Sequence, residues 1–251
     1  MSHRDHVREA RAGLARVAAA ERDYLDGHPY RLLHKFDPRA AVYTVRVAAD
    51  QALPPELPAM VAGVLRQSAA ALYALAAALS EPGRPGKLPR FPIHDSLPEF
   101  AQRSRRSLAG MTDEAQATIE ALQPYHTFGG FHLDRLWLLR ELNAAGAPRL
   151  AAGSLRDDST LGVNTARHVE ITGALQPSAG PFEHEAVIAT VTARVAGPDP
   201  KLDLFLTPSY ELAFAESGPA RGAALVATLG AICDRVEHDV IAPLEPALRR
   251  S

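Results

Sequence analysis

The sequence predicts an α+β protein with a mainly helical core, a long central helix at residues 57–79 and a small antiparallel sheet formed mostly by the C-terminal half. Residues 57–79 contain one charged residue, Arg66, among many alanines and leucines. Beyond residue 153 the sequence changes to β-branched residues separated by turn formers. No internal repeat or long linker divides the chain, so helices before and after the sheet are expected to share one core.

Length and composition favour a single domain over residues 1–251, because 47% hydrophobic and 22% charged residues are ordinary for a globular protein. We expect a mainly helical part at 1–153, with one strand near 42–47, and then strands and a C-terminal helix at 154–251. No unbroken apolar run reaches the roughly 18 residues that span a bilayer, and the charged N-terminus lacks a signal-peptide core. These features predict a soluble, cytoplasmic protein.

Charge and cysteine content exclude several classes of site. The formal net charge is −2, so no global basic field indicates nucleic-acid or membrane binding. Basic residues cluster between Arg84 and Arg106, and we interpret them as a solvated surface. Cys233 is the only cysteine, which rules out an intrachain disulfide and a cysteine-rich zinc cluster. We expect no bound metal and no cofactor.

The first elements follow from periodicity and turn residues. Apolar positions between Val7 and Tyr24 recur at helical spacing, which predicts an amphipathic surface helix ended by Gly27. Residues 42–47 alternate like a half-buried strand. Prolines then precede the helix at 57–79, where they fit an approach and a first turn.

Further helices are predicted from capping residues. Ser96 and Glu99 have the spacing of a capping box for a short helix through Leu108. Thr112 can cap another helix that Pro124 stops, and a glycine-containing loop leads to an apolar helix at 133–143. In the second half Gly218-Pro219 precedes the final helix. The predicted strands are 167–172, 186–195, 202–207 and 210–214, and the final helix is 223–244.

Several short blocks between residues 28 and 150 resemble a family of bacterial proteins with no established activity. The matching blocks are His28-Pro29-Tyr30-Arg31, Phe36-Asp37-Pro38, Pro54-Pro55-Glu56-Leu57, Phe91-Pro92-Ile93 ("FPI"), residues 119–125 ("IxxLQPY") and residues 136–143 ("LxxLxxLN"). They occur in the family's order, which makes chance agreement improbable.

Two polar motifs of that family are changed in this chain. Its "HNLRSALDHL" helix is similar to the motif of HEPN-type ribonucleases, where arginine holds a phosphate and histidine moves a proton. An ungapped placement sets that arginine on Ala69 and that histidine on Ala74. Of its "LNxxDKHRL" block, only Asn143 and Arg149 remain among the polar positions. The chain therefore resembles a degenerate member.

The leading hypothesis is a non-catalytic binding or interaction protein with a protein or small-molecule partner. The alternative is a HEPN-like enzyme acting on RNA or a nucleotide through an altered site, so enzymatic activity stays open and no catalytic residue is assigned. Alanine-rich helix faces would allow a homodimer, while a membrane partner is not expected. The candidate binding residues are Arg66, Gln67, Arg140, Asn143, Arg149 and His126, the last beside an aromatic loop that could close over a ligand.

Overall fold

A computed structural model describes residues 1–80, 90–156, 158–173, 180–215 and 220–248. The first part of the basic cluster, which includes Arg84, lies outside the described residues, as does Gly218-Pro219. The helices are α1 (His3–Asp26), α2 (Leu57–Leu79), α3 (Leu97–Arg103), α4 (Arg105–Leu108), α5 (Asp113–Ala121), α6 (Arg135–Ala144), α7 (Leu225–Asp234) and α8 (Ala242–Leu248). A π-helical turn, Arg235–Ile241, joins the last two, and short 3₁₀ turns occupy Pro124–His126 and Phe131–Leu133.

All strand pairs are antiparallel. The strands are β1 (Tyr30–Asp37), β2 (Val42–Ala49), β3 (Leu150–Leu155), β4 (Thr160–Arg167), β5 (Val169–Ile171), β6 (Glu185–Val195), β7 (Lys201–Thr207) and β8 (Tyr210–Phe214). They form one four-stranded sheet in the order β1-β2-β6-β5 and two pairs, β3-β8 and β4-β7. The α+β class and the small antiparallel sheets are therefore confirmed.

Helix α2 is the central element, with the predicted bounds Leu57 and Leu79. It contacts α6, α7 and α8, as the apolar faces of these segments predict, but its most extensive partner is α1. Within the described part of the chain it is also the one helix long and apolar enough to cross a membrane, and 56% of its apolar window is buried inside the protein. That burial is typical of a core helix.

The sheets form a second core beside the helical one. Tyr43, Val45 and Val47 of β2 are buried on one face of the large sheet. They pack with Leu202 and Leu204 of β7, so the β4-β7 pair covers that face as the second layer of a small sandwich. Tyr30 of β1 packs against both cores and joins them.

Three strands were missed by the sequence analysis. In β1, Leu33 and His34 are both exposed, and His34 contacts Tyr43 from a position between Leu32 and Phe36, so hydrophobic alternation is broken. Strand β4 is exposed along most of its length and has little apolar pattern. Strand β3 is buried but reads LAAGSL, and small residues give no strand signal. The prediction of one N-terminal strand is therefore wrong.

Two helix predictions also need correction. Ser96 makes no capping hydrogen bond, and the carboxylate of Glu99 instead lies 3.6 Å from Nδ1 of His94 and contacts Arg103. The helix predicted through Leu108 is divided at Ser104 into α3 and α4. The final helix is interrupted by the π-helical turn, whereas Thr112 caps α5 as predicted, with its hydroxyl accepting from the Ala115 amide.

Close contact between α1 and α2 depends on Gly13. A Cβ atom at this position would lie 3.0 Å from Cγ2 of Val64, a contact so tight that the Val64 side chain would have to shift by a few tenths of an ångström. Gly63, inside α2, offers the opposite case, since a Cβ there meets nothing within 4 Å. Substitutions at Gly13 therefore report on helix packing, whereas substitutions at Gly63 report on the intrinsic helix preference of the new residue.

We predict that Gly13→Leu lowers the free energy of unfolding by about 1–3 kcal/mol through overpacking. The matched change Gly63→Leu should raise it by about 0.5–1 kcal/mol, because leucine is the better helix former and the space is open. Urea denaturation of both variants measures the difference. Equal effects at the two positions would contradict the close α1–α2 packing.

Glu21 ties α1 to the open edge of β8. Its carboxylate accepts a hydrogen bond from the Leu212 amide at 2.7 Å, and the residue is 8% exposed. Burial raises the pKa of the Glu21 carboxyl, the charge of Glu211 raises it further, and the amide bond and Arg156 oppose the shift. The folded state therefore holds this proton more tightly than the unfolded chain does.

Because the folded pKa is raised, the stability contributed by the Glu21 proton is lost as pH rises through that folded pKa. Glu21→Gln keeps an acceptor for the Leu212 amide but cannot ionise. We predict that this variant is more stable than the wild type near neutral pH, and that the difference shrinks toward about pH 4.3, the ordinary glutamate value. Thermal unfolding at several pH values tests this, and a pH-independent difference would contradict it.

Candidate interaction site

The six candidate residues from the sequence have separate surroundings. Arg66 is exposed on α2, and Tyr73 is exposed two turns further along the same face. The Oε1 atom of Gln67 lies 2.7 Å from Nδ1 of His6 on α1. Asn143 is half-buried in the last turn of α6, and Arg149 is exposed just before β3.

Arg140 is used inside the protein. Its Nη1 donates to the Ile93 carbonyl at 2.9 Å, and its other nitrogens face Asp95 and Glu141 at 3.6 and 3.0 Å. It therefore fixes the segment at 91–95, and each of its nitrogens already faces an internal partner. Among the described contacts, no hydrogen bond or ion pair joins Arg66, Gln67, Arg140, Asn143 or His126 to one another.

Gln123 joins the "LQPY" block to the "FPI" block by hydrogen bonds. Its side-chain amide donates to the carbonyls of Pro92 and Ile119 at 3.0 Å, and its Oε1 accepts from the His94 amide at 3.0 Å. Gln123 is 1% exposed, so these bonds satisfy a polar group that burial would otherwise penalise. Two of the six matching blocks therefore meet at one structural junction, and Arg140 of a third block contacts the same segment through the Ile93 carbonyl.

The positions that correspond to the family's arginine and histidine lie on α2. Ala69 is 7% exposed and Ala74 is half-buried. Neither alanine can hold a phosphate or move a proton. The nearest imidazole in the hydrogen-bond network comes instead from α1, where His6 contacts Gln67.

His126 lies at the start of the aromatic loop, defined here as residues 127–133. Its Nε2 is 2.8 Å from Oε1 of Glu120, which also accepts a 2.8 Å hydrogen bond from the Tyr125 hydroxyl. These two bonds lower the pKa of the Glu120 carboxyl. The His126 ring lies 4.5 Å from the Tyr125 ring, so a carboxylate and an aromatic face fix its orientation.

The aromatic loop exposes large apolar side chains. Phe128 is 98% exposed, Leu133 54% and Phe131 37%. Gly129 and Gly130 have φ values of +86° and +116°, which disfavour any residue with a side chain. A Cβ at Gly129 would also lie 2.9 Å from the Leu133 side chain. The backbone is thus built to carry Phe128 at the tip.

Hydrogen bonds hold the aromatic loop in one conformation. The amides of Gly130, Leu133 and Asp134 each donate to the carbonyl three residues earlier, at 3.0–3.1 Å. Phe131 packs edge-on against Trp137 of α6, with ring centroids 5.4 Å apart. The exposed side chains therefore belong to an ordered turn.

Asp134 anchors the loop to the rest of the protein. Its Oδ1 accepts from the Leu136 amide at 2.7 Å, which caps α6. Its Oδ2 accepts from the Thr127 hydroxyl and from Nη2 of Arg235, both at 3.0 Å. Arg235 lies in the π-helical turn and also donates to the Leu122 carbonyl. One buried carboxylate thus connects both ends of the loop with the C-terminal helix.

Sequence reasoning identified His126 and the loop but missed Asp134 and Arg235. An aspartate immediately before the apolar run at 136–139 is an N-cap signal that could have revealed Asp134. Nothing in the sequence around Arg235 indicates its partner, because the two residues are 101 positions apart.

Exposed arginines lie on two elements that adjoin the segment carrying the aromatic loop. Phe100 of α3 packs edge-on against Tyr125, at 6.2 Å, which brings α3 and the following α4 to this side of the protein. Arg105 and Arg106 of α4 are exposed, as is Arg135 immediately after the loop. None of these three arginines has an ion-pair partner among the described residues.

The described residues contain no cluster of three or more histidine, cysteine or carboxylate side chains that could hold a metal ion. Cys233 is buried, its Sγ lies 3.8 Å from the Ser68 hydroxyl, and burial raises the pKa of its thiol. This environment suits a packed thiol rather than a nucleophile. The site's chemistry is accordingly one of apolar and ionic contact.

No protein-family model, no curated protein and no solved structure matches this chain. The resemblance to a HEPN-like family therefore stays a prediction from the sequence blocks.

Asp134 provides a test of how the loop is held. Its side chain is 5% exposed and that of Arg235 22%, so Asp134→Ala removes the more buried of the two carboxylates that pair with Arg235, the other being the exposed Asp239 at 3.5 Å, and it also removes the cap of α6. We predict a loss of about 2–4 kcal/mol in the free energy of unfolding. Asp134→Asn keeps a good capping residue and should cost less than half as much. Equal losses in urea denaturation would mean that the Arg235 pair contributes nothing beyond the cap.

Proposed function

We propose that this protein is a non-catalytic interaction protein that binds a partner protein through the aromatic loop. The observation that carries the proposal is Phe128, a large apolar side chain that is 98% exposed on a hydrogen-bonded turn. A side chain of this kind gains about 1.5–3 kcal/mol when it is fully buried, so its exposure favours association. Aromatic anchors of this type dominate the energetics of many interfaces.

The rigidity of the loop supports binding. Association usually requires the ordering of side chains and loops, which reduces affinity. Here the backbone bonds and the Asp134 anchor exist before any partner arrives. The apolar residues Phe128, Phe131 and Leu133 can therefore enter a complementary pocket without a further loss of backbone freedom.

The charges around the loop specify the partner further. Arg105, Arg106 and Arg135 are exposed and have no ion-pair partner among the residues that the structure describes, and Arg135 occupies the first turn of α6, where the helix dipole disfavours a cation. A protein pocket edged by carboxylates would complement them. An anionic membrane is the less suitable partner, because the formal net charge of the whole chain is −2.

A second candidate, a HEPN-like enzyme acting on RNA or a nucleotide, is favoured by one observation. His6 of α1 contacts Gln67, the residue that follows the exposed Arg66 on α2. An imidazole therefore contacts the residue next in sequence to a candidate phosphate-binding arginine, although Ala74 supplies none. Hydrolysis would still require a site that closes around these residues.

The interaction proposal is tested by a photocrosslinking amino acid introduced at position 128. In the cells that naturally produce this protein, we expect a discrete crosslinked adduct with one other protein. This adduct should be lost when Arg105 and Arg106 are both changed to glutamate. The same amino acid at Phe205, an exposed sheet residue, is the matched control. An adduct only with lipid, or none above the control, would contradict a protein partner.

We further predict that the purified protein does not cleave structured or single-stranded RNA. Loss of a general acid/base alone typically costs about 10²–10⁴ in rate, and the phosphate-binding arginine is absent as well. Cleavage that disappears in both Arg66→Ala and His6→Ala would overturn this prediction and would favour the enzyme. Glu9→Ala, on the exposed surface of α1, controls for nonspecific effects of substitution.

A further inference from the structure

A polar cavity of about 560 Å³ lies away from the aromatic loop. It is bordered by the end of β3 and the turn after it, by β8, and by two short segments that approach from other parts of the chain. Its walls are formed by Ser154, Leu155, Arg156, Asp158, Gly180, Pro181, Glu211 and Gly222. This volume is within the range of small-molecule sites and far exceeds a single ion.

A β-bulge shapes one wall of the cavity. The register of β3 against β8 shifts between Ala151 and Ser154, and Gly153 pairs instead with Phe182 through two backbone hydrogen bonds. A Cβ at Gly153 would lie 2.6 Å from the Phe182 ring, so only glycine fits. Beyond the bulge, Ser154 is directly opposite Glu211, and both side chains line the cavity. Bulges commonly redirect side chains in this way beside binding sites.

The adjoining turn is fixed by Ser209. The Arg156 amide donates to the Ser209 carbonyl at 2.9 Å, and the Ser159 hydroxyl bonds both the carbonyl and the amide of Ser209. Arg156 and Asp158 project from this turn, with Nε and Oδ1 3.6 Å apart. The charged groups of the cavity are therefore positioned by the backbone before a ligand binds.

The cavity has an uncompensated carboxylate. Arg156 is paired with Asp158, whereas the half-buried Glu211 has no hydrogen-bond or ion-pair partner in the part of the chain that the structure describes. The carboxyl of Glu21 lies close enough behind β8 for its pKa to respond to both Glu211 and Arg156. A half-buried, unpaired anion favours a cationic ligand, because charge-assisted hydrogen bonds are the strongest available to it.

We infer that this cavity binds a small organic cation with a primary ammonium group. Glu211 neutralises the charge of the ammonium group, and the hydroxyl oxygen of Ser154 accepts a hydrogen bond from it. The ligand class is a short aliphatic amine or an amino acid with a side-chain amine. In the second case the ligand carboxylate would pair with Arg156, which can exchange its contact with Asp158 at the exposed rim. The site is independent of the proposed partner-binding loop.

The experiment is calorimetric titration of the full chain with putrescine, with L-ornithine and with glutarate. Putrescine and ornithine differ by one carboxylate, so their comparison distinguishes a plain amine from an amino acid. We expect saturable binding of at least one of the two and none of glutarate. No saturable binding of either amine would overturn the inference.

Variants assign the binding to this cavity. Glutamine is nearly identical in shape to glutamate, so Glu211→Gln should lower the affinity for the amine that binds by about tenfold or more, since it removes a charge-assisted pair. Asp158→Asn, at an exposed position, gives a second test that does not depend on a half-buried residue: it leaves the positive charge of Arg156 unneutralised at the rim and should therefore weaken the binding of putrescine several-fold. Glu170→Gln, on the distant edge strand β5, is the matched control and should bind like the wild type. Unchanged affinity in both cavity variants would contradict the assignment.

Discussion

The need to cover α2 determines the arrangement of the helices. Twelve of its 23 residues are buried and only Arg66 is charged, so its wide apolar face must be covered by other elements. Helix α1 covers the largest part because Gly13 lets the two backbones approach closely. Helices α6, α7 and α8 cover the rest. Among the polar residues of α2, Ser68 is buried beside Cys233 and Gln67 contacts His6, while Arg66 and Tyr73 share the exposed face.

The proposed binding loop lies at the end of a helix and not along its face. The aromatic loop enters α6 at its N-terminus, where Asp134 serves as cap, as acceptor for Thr127 and as ion-pair partner of Arg235. A loop without such an anchor would bury Phe128 by collapsing onto the surface. The anchor therefore preserves an exposure that the hydrophobic effect alone would remove.

Strong local patterns were predictable from the sequence, and long-range partners were not. The bounds of α2 and the cap of α5 follow from runs of apolar residues and from Thr112. The roles of Gln123 and Arg140 could not be foreseen, because their bonding partners are backbone carbonyls in a segment without regular structure. Asp134 and Arg235 are similarly joined only by the fold. Candidate residues chosen for their chemical type were thus partly structural supports.

The account depends most directly on the claim that the aromatic loop is ordered while Phe128 remains in solvent. Amide order parameters from nuclear magnetic resonance relaxation measure this for residues 128–133 of the free protein. We expect order parameters of about 0.85, like those of the adjoining helix α6, because the amides of Gly130 and Leu133 are hydrogen-bonded within the loop. Values below about 0.6 across these residues would show a flexible loop and would contradict a preorganised binding surface.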